Sequence, residues 1–596
     1  LYQLPFKIES CPQECGLECG VDLSKCPTYA KLPPQMQAVC RDNLHLLQYF
    51  HNFPFDDYGN PEYYPKVDRS LKGKKPLNLV YPVSDEVFVH ILSNPNDIRN
   101  FYLPIEPALN NGYEDILDEI EQRLADYVEE LETITDSAKK IEVVMAIMDK
   151  LIVVSNNAPA PVKSKDNGHD KNGDGKHHKA VALLKKTKTS RDKIFLSPIQ
   201  NKSVRYLMRR KLDGLGVLNP MIMDPNIEDI SCSGLGNIFV EHKLFDGLRT
   251  SIGFSEHSEL DGFVIQLAES IKHPVTFREP CVDATLPDGS RINIVYGVDV
   301  SKRGSNFTIR KFSDTPLSVI ELIGFGALSC EMAAYLSIIL QEGMNVWVSG
   351  ETASGKTTLL NALTTFIPPE AKIVSIEDTP EVQVPHHNWI RGCTRGSAKN
   401  AESSEVSMFD LLKAALRQRP NLIIVGEIRG AEGAIAFQAM QTGHACMSTF
   451  HAASVPKLIQ RVTGNPINVP KTYVDNLNVV VICQQVRLPN GKLGRRITSI
   501  NEIVSYDSVS DSFSFIEVFN WNPVTDTFYF RGNNNSYLME YKIAPRRGFP
   551  HEKRREVYKI LKQRAEILKR LKEQKKTDFY EVYAILSKAT REGQFK

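Results

Sequence analysis

Apolar residues recur three and four apart at Leu117, Ile120, Leu124, Tyr127, Leu131 and Ile134, with acidic residues between them. A second run, Ile141, Val144, Met145, Met148 and Leu151, follows a break at Asp136-Ser137. This spacing predicts two amphipathic helices over 113–154. The heptad pattern is too short for a free-standing coiled coil, so a helical hairpin or small bundle burying one stripe is expected, with a docking surface for a partner as its functional reading. Residues 1–112 show no such period. They begin Cys-rich and continue through a stretch heavy in aromatics, Pro and Asn, where 41–112 suggests no chemistry. Residues 155–190 open as a run of Asn, Pro, Gly and charge, the composition of a flexible linker.

Beyond the linker the pattern turns mixed. Short strands are predicted over 227–231, 237–241 and 308–311 and a helix over 260–271, giving a small α/β domain across 191–325. A buried helix over 332–340 precedes alternating strands and helices up to about 485, the signature of a mostly parallel sheet. Residues 486–545 alternate polar and apolar between turn sequences, as an antiparallel meander does, and belong to one domain over 326–550. The tail, 551–596, is basic and carries an apolar stripe of Val557, Ile560, Leu561, Ile567, Leu568 and Leu571. Packing on the preceding domain accounts for that stripe; a membrane face or a partner is the alternative.

Composition narrows the class. The 596 residues are 42% hydrophobic and 24% charged with a net charge of +1, as in an ordinary globular protein of several domains. Near-neutrality argues against bulk attraction to nucleic acid. No apolar run reaches the roughly 18 residues of a membrane span. Five of the 11 cysteines fall in the first forty residues. Cys11, Cys15, Cys19 and Cys26 match neither the usual zinc spacings nor the common ferredoxin runs. A structural zinc ion or iron–sulfur cluster, disulfides and unligated thiols all stay open.

The chemistry concentrates at Gly350-Glu351-Thr352-Ala353-Ser354-Gly355-Lys356-Thr357-Thr358. Gly350, four residues, then Gly355-Lys356-Thr357 is the phosphate-binding loop pattern, set between an apolar strand (Val346, Trp347, Val348) and helical spacing at Leu359, Leu360 and Leu363. The glycines let backbone N–H groups converge on phosphate oxygens at a helix N-terminus. Lys356 is expected to reach the β- and γ-phosphates of ATP, and the Thr357 hydroxyl to ligate Mg²⁺. Hydrolysis needs carboxylates and cations as well. Glu377-Asp378-Thr379-Pro380-Glu381 follows a predicted strand over 373–376, and Gly426-Glu427-Ile428-Arg429 ends another over 421–425. Thr442-Gly443-His444 and Thr449-Phe450-His451 bracket a third.

This ordered set resembles the type II/type IV secretion ATPases, the motors of pili, archaeal flagella and secretion, over roughly 195–545. The wording of the acidic box and Asp224-Pro-Asn-Ile-Glu-Asp-Ile-Ser resemble the archaeal branch; the chain lacks the cysteine pairs that bacterial members usually carry in the motor domain. The resemblance implies a RecA-like phosphate-loop motor domain preceded by a small PAS-like α/β domain. It also implies catalysis by Glu381, Glu427 near Mg²⁺ through water, and a histidine pair, His444 and His451, that senses the γ-phosphate. Arg291 and Arg310 in the small domain, with Arg391 and Arg395 beyond the acidic box, are the expected cations. A homohexamer at the cytoplasmic face of the membrane, pushing a polytopic platform protein, is the implied assembly. A DNA-translocating or conjugation-type motor and a low-turnover nucleotide-bound scaffold are the alternatives.

Overall fold

The computed structural model describes residues 4–6, 23, 26–68, 71–94, 97–107, 113–127, 137–155, 193–213, 215–286, 288–312, 315–395 and 406–595. Two compact units emerge, Leu1–Phe312 and Ser313–Lys596.

In the first unit, β1 (Glu62–Tyr63), β2 (Asn78–Pro82), β3 (Phe88–Leu92) and β4 (Phe101–Ile105) precede the short pair β5 (Ile152–Val154) and β6 (Ile194–Leu196). There follow β7 (Ile227–Cys232), β8 (Gly236–His242), β9 (Asp246–Phe254), β10 (Cys281–Thr285), β11 (Arg291–Val295) and β12 (Asn306–Arg310). Ten of these make one sheet in the order β1-β2-β3-β4-β9-β8-β7-β12-β11-β10. The described strands of the N-terminal segment thus extend the sheet of the expected small domain, β4 pairing in parallel with β9. Strands β2–β4 are buried on both faces. Leu79, Tyr81, Val89, Ile91 and Tyr102 join the core shared with β7–β12. Val80, Phe88, Leu92, Leu103 and Ile105 meet a second core that includes Tyr49 and Phe50. Strands with two covered faces read as continuous apolar runs without alternation, which is why 78–105 carried no strand pattern.

The expected helical pair forms as α1 (Glu114–Leu124) and α2 (Ser137–Leu151). Ile120, Leu124, Val144, Ile147 and Met148 bury their stripe against Val204 and Met208 of α3 (Pro198–Asp213). The apolar face is thus filled within the chain. Leu131, Ile134 and the linker up to residue 192 lie outside the described residues.

The second unit is a nine-stranded sheet, β15-β14-β16-β17-β13-β18-β19-β20-β21. Its parallel part comprises β13 (Val346–Gly350), β14 (Ile373–Glu377), β15 (Trp389–Cys393), β16 (Leu422–Ile428), β17 (Ala445–Phe450) and β18 (Val479–Arg487). The meander β19 (Leu493–Asp507), β20 (Ser512–Asn522) and β21 (Thr527–Phe530) continues it in antiparallel. Val346 and Val348 enter one core with α4 (Cys330–Gln341) and α5 (Lys356–Leu363). Trp347 enters the opposite one with Phe437 and Leu458. The C-terminal helices α6 (Val557–Glu573) and α7 (Phe579–Arg591) bury Val557, Leu561, Leu568, Leu571, Val582 and Leu586 in the first core, so the basic tail's stripe is packing.

Candidate nucleotide site

Parallel strands send their C-terminal ends to one edge, and order reversal beside β13 opens a crevice there. Four predicted segments meet at that edge: the phosphate loop after β13, the acidic box after β14, Glu427 on β16 and His451 after β17.

The loop backbone is shaped for close approach. A Cβ on Gly350 would stand 2.2 Å from the Cys483 carbonyl oxygen and 2.6 Å from Ser354 Oγ. Gly355 caps α5 at φ 90°, in the left-handed region, and Ala353 also has φ 62°. Arg495, from β19, donates Nε to the Ala353 carbonyl at 3.0 Å and so braces the loop. Ser354 Oγ is buried without a partner, a polar atom left over for a phosphate oxygen.

Lys356 donates Nζ to the Glu351 carbonyl at 2.9 Å and lies 3.3 Å from His451 Nδ1. His451 Nε2 stands 2.7 Å from Glu427 Oε1, close in distance but not aligned as a hydrogen bond. The tautomer that suits both contacts carries its proton on Nε2. Arg429 donates Nη2 to the other Glu427 oxygen at 2.6 Å. Burial lowers the pKa of both Lys356 and His451, with the Glu427 carboxylate opposing each shift. The register between β16 and β17 shifts between Val425 and Glu427, a bulge at Gly426 that re-aims the carboxylate.

In the acidic box the two glutamates divide. Glu381 is half-buried in the loop, while Glu377 closes β14 at 1% exposure. Burial pushes the Glu377 carboxyl up to about 7, against the backbone N–H groups of Val382 and Glu381. Beside the loop an open cleft of about 330 Å³ is lined by Gly350, Glu351, Thr352, His451, Lys457 and Arg461, among others. Arg461 also donates to the His451 carbonyl. A spacious cationic cleft, glycines that a side chain would fill and an unpartnered buried hydroxyl together fit a magnesium–triphosphate.

The family model described as Type II/IV secretion system protein matches residues 211–497. The type IV secretion system protein PtlH of Bordetella pertussis is 30% identical over 42% of this chain and 79% of its own. The chain belongs to the type II/IV secretion ATPase superfamily. An uncharacterised protein of Methanocaldococcus jannaschii, MJ0900, is 41% identical to this ATPase over 93% of the chain and 96% of its own length, in keeping with the archaeal branch. The VirB11 ATPase of the Brucella suis type IV secretion system, solved with sulphate, is 24% identical over 48% of this chain and 91% of its own, with a TM-score of 0.25.

Not every predicted site residue of the ATPase reaches the cluster. His444 precedes β17 at the opposite edge of the sheet, about 23 Å from His451 at roughly 3.3 Å per strand residue, and contacts Thr442 Oγ1 at 3.1 Å. The histidine pair thus separates, because strand β17 runs the full depth of the sheet between its members. Arg391 meets the acidic box. It donates to the Val382 carbonyl at 3.1 Å and lies 3.5 Å from Glu377. Arg395 is exposed, with its backbone bridged to Val406. Arg291 and Arg310 are direct neighbours across β11 and β12 in the first unit. Cys26 caps a short helix and its Sγ lies 3.2 Å from His51 Nε2; Cys11, Cys15 and Cys19 lie outside the described residues. Among the described residues no group of three or more His, Cys, Asp or Glu side chains is gathered for a metal. Sequence reasoning named Arg429 within its motif but gave it no role, and missed Lys457, Arg461 and Arg495. Only Arg429 left a signal, two positions after Glu427 and hence on the same side of an extended chain.

Proposed function

We propose that this ATPase works as a homohexamer at the cytoplasmic face of a membrane, moving a polytopic platform protein to assemble or retract a pilus-like filament or to drive secretion. The observation that carries the reading is the Lys356–His451–Glu427–Arg429 chain of contacts beside the phosphate loop. It ties the phosphate-binding lysine to the end of two neighbouring strands, so a change at the terminal phosphate is felt across the sheet. The similarity to PtlH, a type IV secretion system protein, supports the same reading. Among the described residues no helix is long and apolar enough to cross a membrane.

In this proposal Lys356 holds the β- and γ-phosphates and Glu381 orients and polarises the attacking water. Glu427 takes the carboxylate position near the metal, and His451 responds to the terminal phosphate. Thr357, and Glu427 through water, would hold Mg²⁺, which would neutralise the phosphate oxygens. Arg291 and Arg310 are the proposed cations from the first unit. Glu381→Gln and Glu427→Gln are expected to lower phosphate release by about 100-fold or more while nucleotide affinity stays within a few fold. Wild-type release by both variants, with a particle that stays monomeric in ATP, removes the motor reading. Turnover stimulated by DNA and suppressed by salt transfers it to a conjugation-type motor.

A further inference from the structure

We propose that Glu377, held by Arg391, is a positioning residue that fixes the peptide of Glu381 relative to the phosphate loop. The inference rests on the proposed catalytic role of Glu381.

The Glu381 peptide is gripped from both ends. Glu377 Oε1 accepts the N–H groups of Glu381 at 2.8 Å and Val382 at 2.6 Å. Asn361 Nδ2 donates to the Glu381 carbonyl at 3.0 Å, and Asn361 Oδ1 accepts the Gln383 N–H at 3.1 Å. Asn361 rides on α5, the helix that begins with Lys356 and Thr357. The backbone of Glu381 is therefore referenced to the same rigid element as the phosphate ligands.

Arg391 closes the clamp from the neighbouring strand. Its Nη2 reaches the Val382 carbonyl at 3.1 Å, its Nε lies 3.5 Å from Glu377 Oε2, and its guanidinium sits over the Trp389 ring with 5.3 Å to the centroid. Parallel pairing sets Arg391 opposite Ser375, two residues before Glu377. On the other flank, a Cβ at Gly426 would come within 3.0 Å of Glu377 Cγ. The strand that carries Glu427 is thus bare where the clamp needs room. Removing a buried carboxylate that serves two N–H groups frees the loop, and a displacement on the order of 1 Å at a reacting group costs up to about 100-fold.

The test is steady-state phosphate release together with fluorescent ADP binding on the full chain. Glu377→Ala is expected to lower kcat about 30-fold or more with nucleotide affinity within about threefold. Glu377→Gln, which keeps a carbonyl acceptor for both N–H groups, is expected to recover most of that loss. Hydrogen exchange of the 378–384 backbone should rise in Glu377→Ala while that of 350–358 stays unchanged. Arg391→Ala, at a partly exposed position, should lower kcat about tenfold at unchanged affinity and decides the matter if Glu377→Ala does not fold. Equal losses of affinity and kcat, or wild-type turnover in both alanine variants, overturn the proposal. Glu381→Gln separates the two readings: if it turns over like wild type, the role of Glu381 itself falls; if it is inactive while Glu377→Ala and Arg391→Ala are not, only the clamp falls.

Discussion

Gly350 shows how much a single hydrogen decides. Its Cα faces the Cys483 carbonyl of β18 so closely that no side chain fits without moving that strand or the loop. Gly350→Ala is expected to weaken nucleotide binding by about 5- to 150-fold, since an overpacked contact costs roughly 1–3 kcal/mol. A fluorescent-ADP titration checks it. His444 gives the converse. Sitting at the far edge of β17 beside Thr442, it is expected to tolerate alanine with phosphate release within about twofold, whereas His451→Ala should lose most activity. The motif places both histidines within eight residues of each other. A strand's straight run then carries them to opposite ends of the sheet, and no count of spacing shows which end holds the nucleotide.

At the scale of elements, one buried carboxylate joins segments far apart in the chain. Asp224, fully buried, accepts the hydroxyls of Tyr81 of β2 at 2.5 Å and Tyr102 of β4 at 3.0 Å. It also accepts the backbone N–H of Asn226 at 2.8 Å. Asp224→Ala strands the buried Tyr102 hydroxyl, leaves that of Tyr81 only His242 Nε2 at 3.3 Å, and should cost about 2–4 kcal/mol. The protein supplies its own readout, because all three tryptophans, Trp347, Trp389 and Trp521, fall in the second unit. The urea midpoint followed by far-UV circular dichroism is expected to drop for the first unit, with the tryptophan-emission midpoint unmoved. Helices were legible where one stripe was apolar, as in α1, α2 and α6. Strands β2–β4 were not, because burial on both faces erases alternation, and their assignment to the neighbouring sheet depends on long-range pairing with β9.

Taken whole, the first unit carries several buried neutral imidazoles. His90 accepts from Tyr49 on Nδ1 at 2.9 Å and faces Asn78 Oδ1 with Nε2 at 2.8 Å; burial takes its pKa down to about 3. Burial likewise lowers His45 and His242 to about 4. Each folded pKa lies below the unfolded value near 6.5, so between these limits the unfolded chain binds more protons. This contribution is present above pH 6.5 and is lost as pH falls toward 4. The melting temperature of the first unit should therefore drop over that interval, and a circular-dichroism melt at successive pH values tests it. What the chain's order of residues determined alone was its nucleotide chemistry. A strand, a glycine turn and a capped helix are contiguous, so their geometry follows from local backbone preferences. The tertiary structure decided which of two acidic-box glutamates is buried, which histidine meets Lys356 and which arginine clamps the loop. Those outcomes arise where strands far apart in sequence end side by side, and desolvation there assigns each charged group its partner.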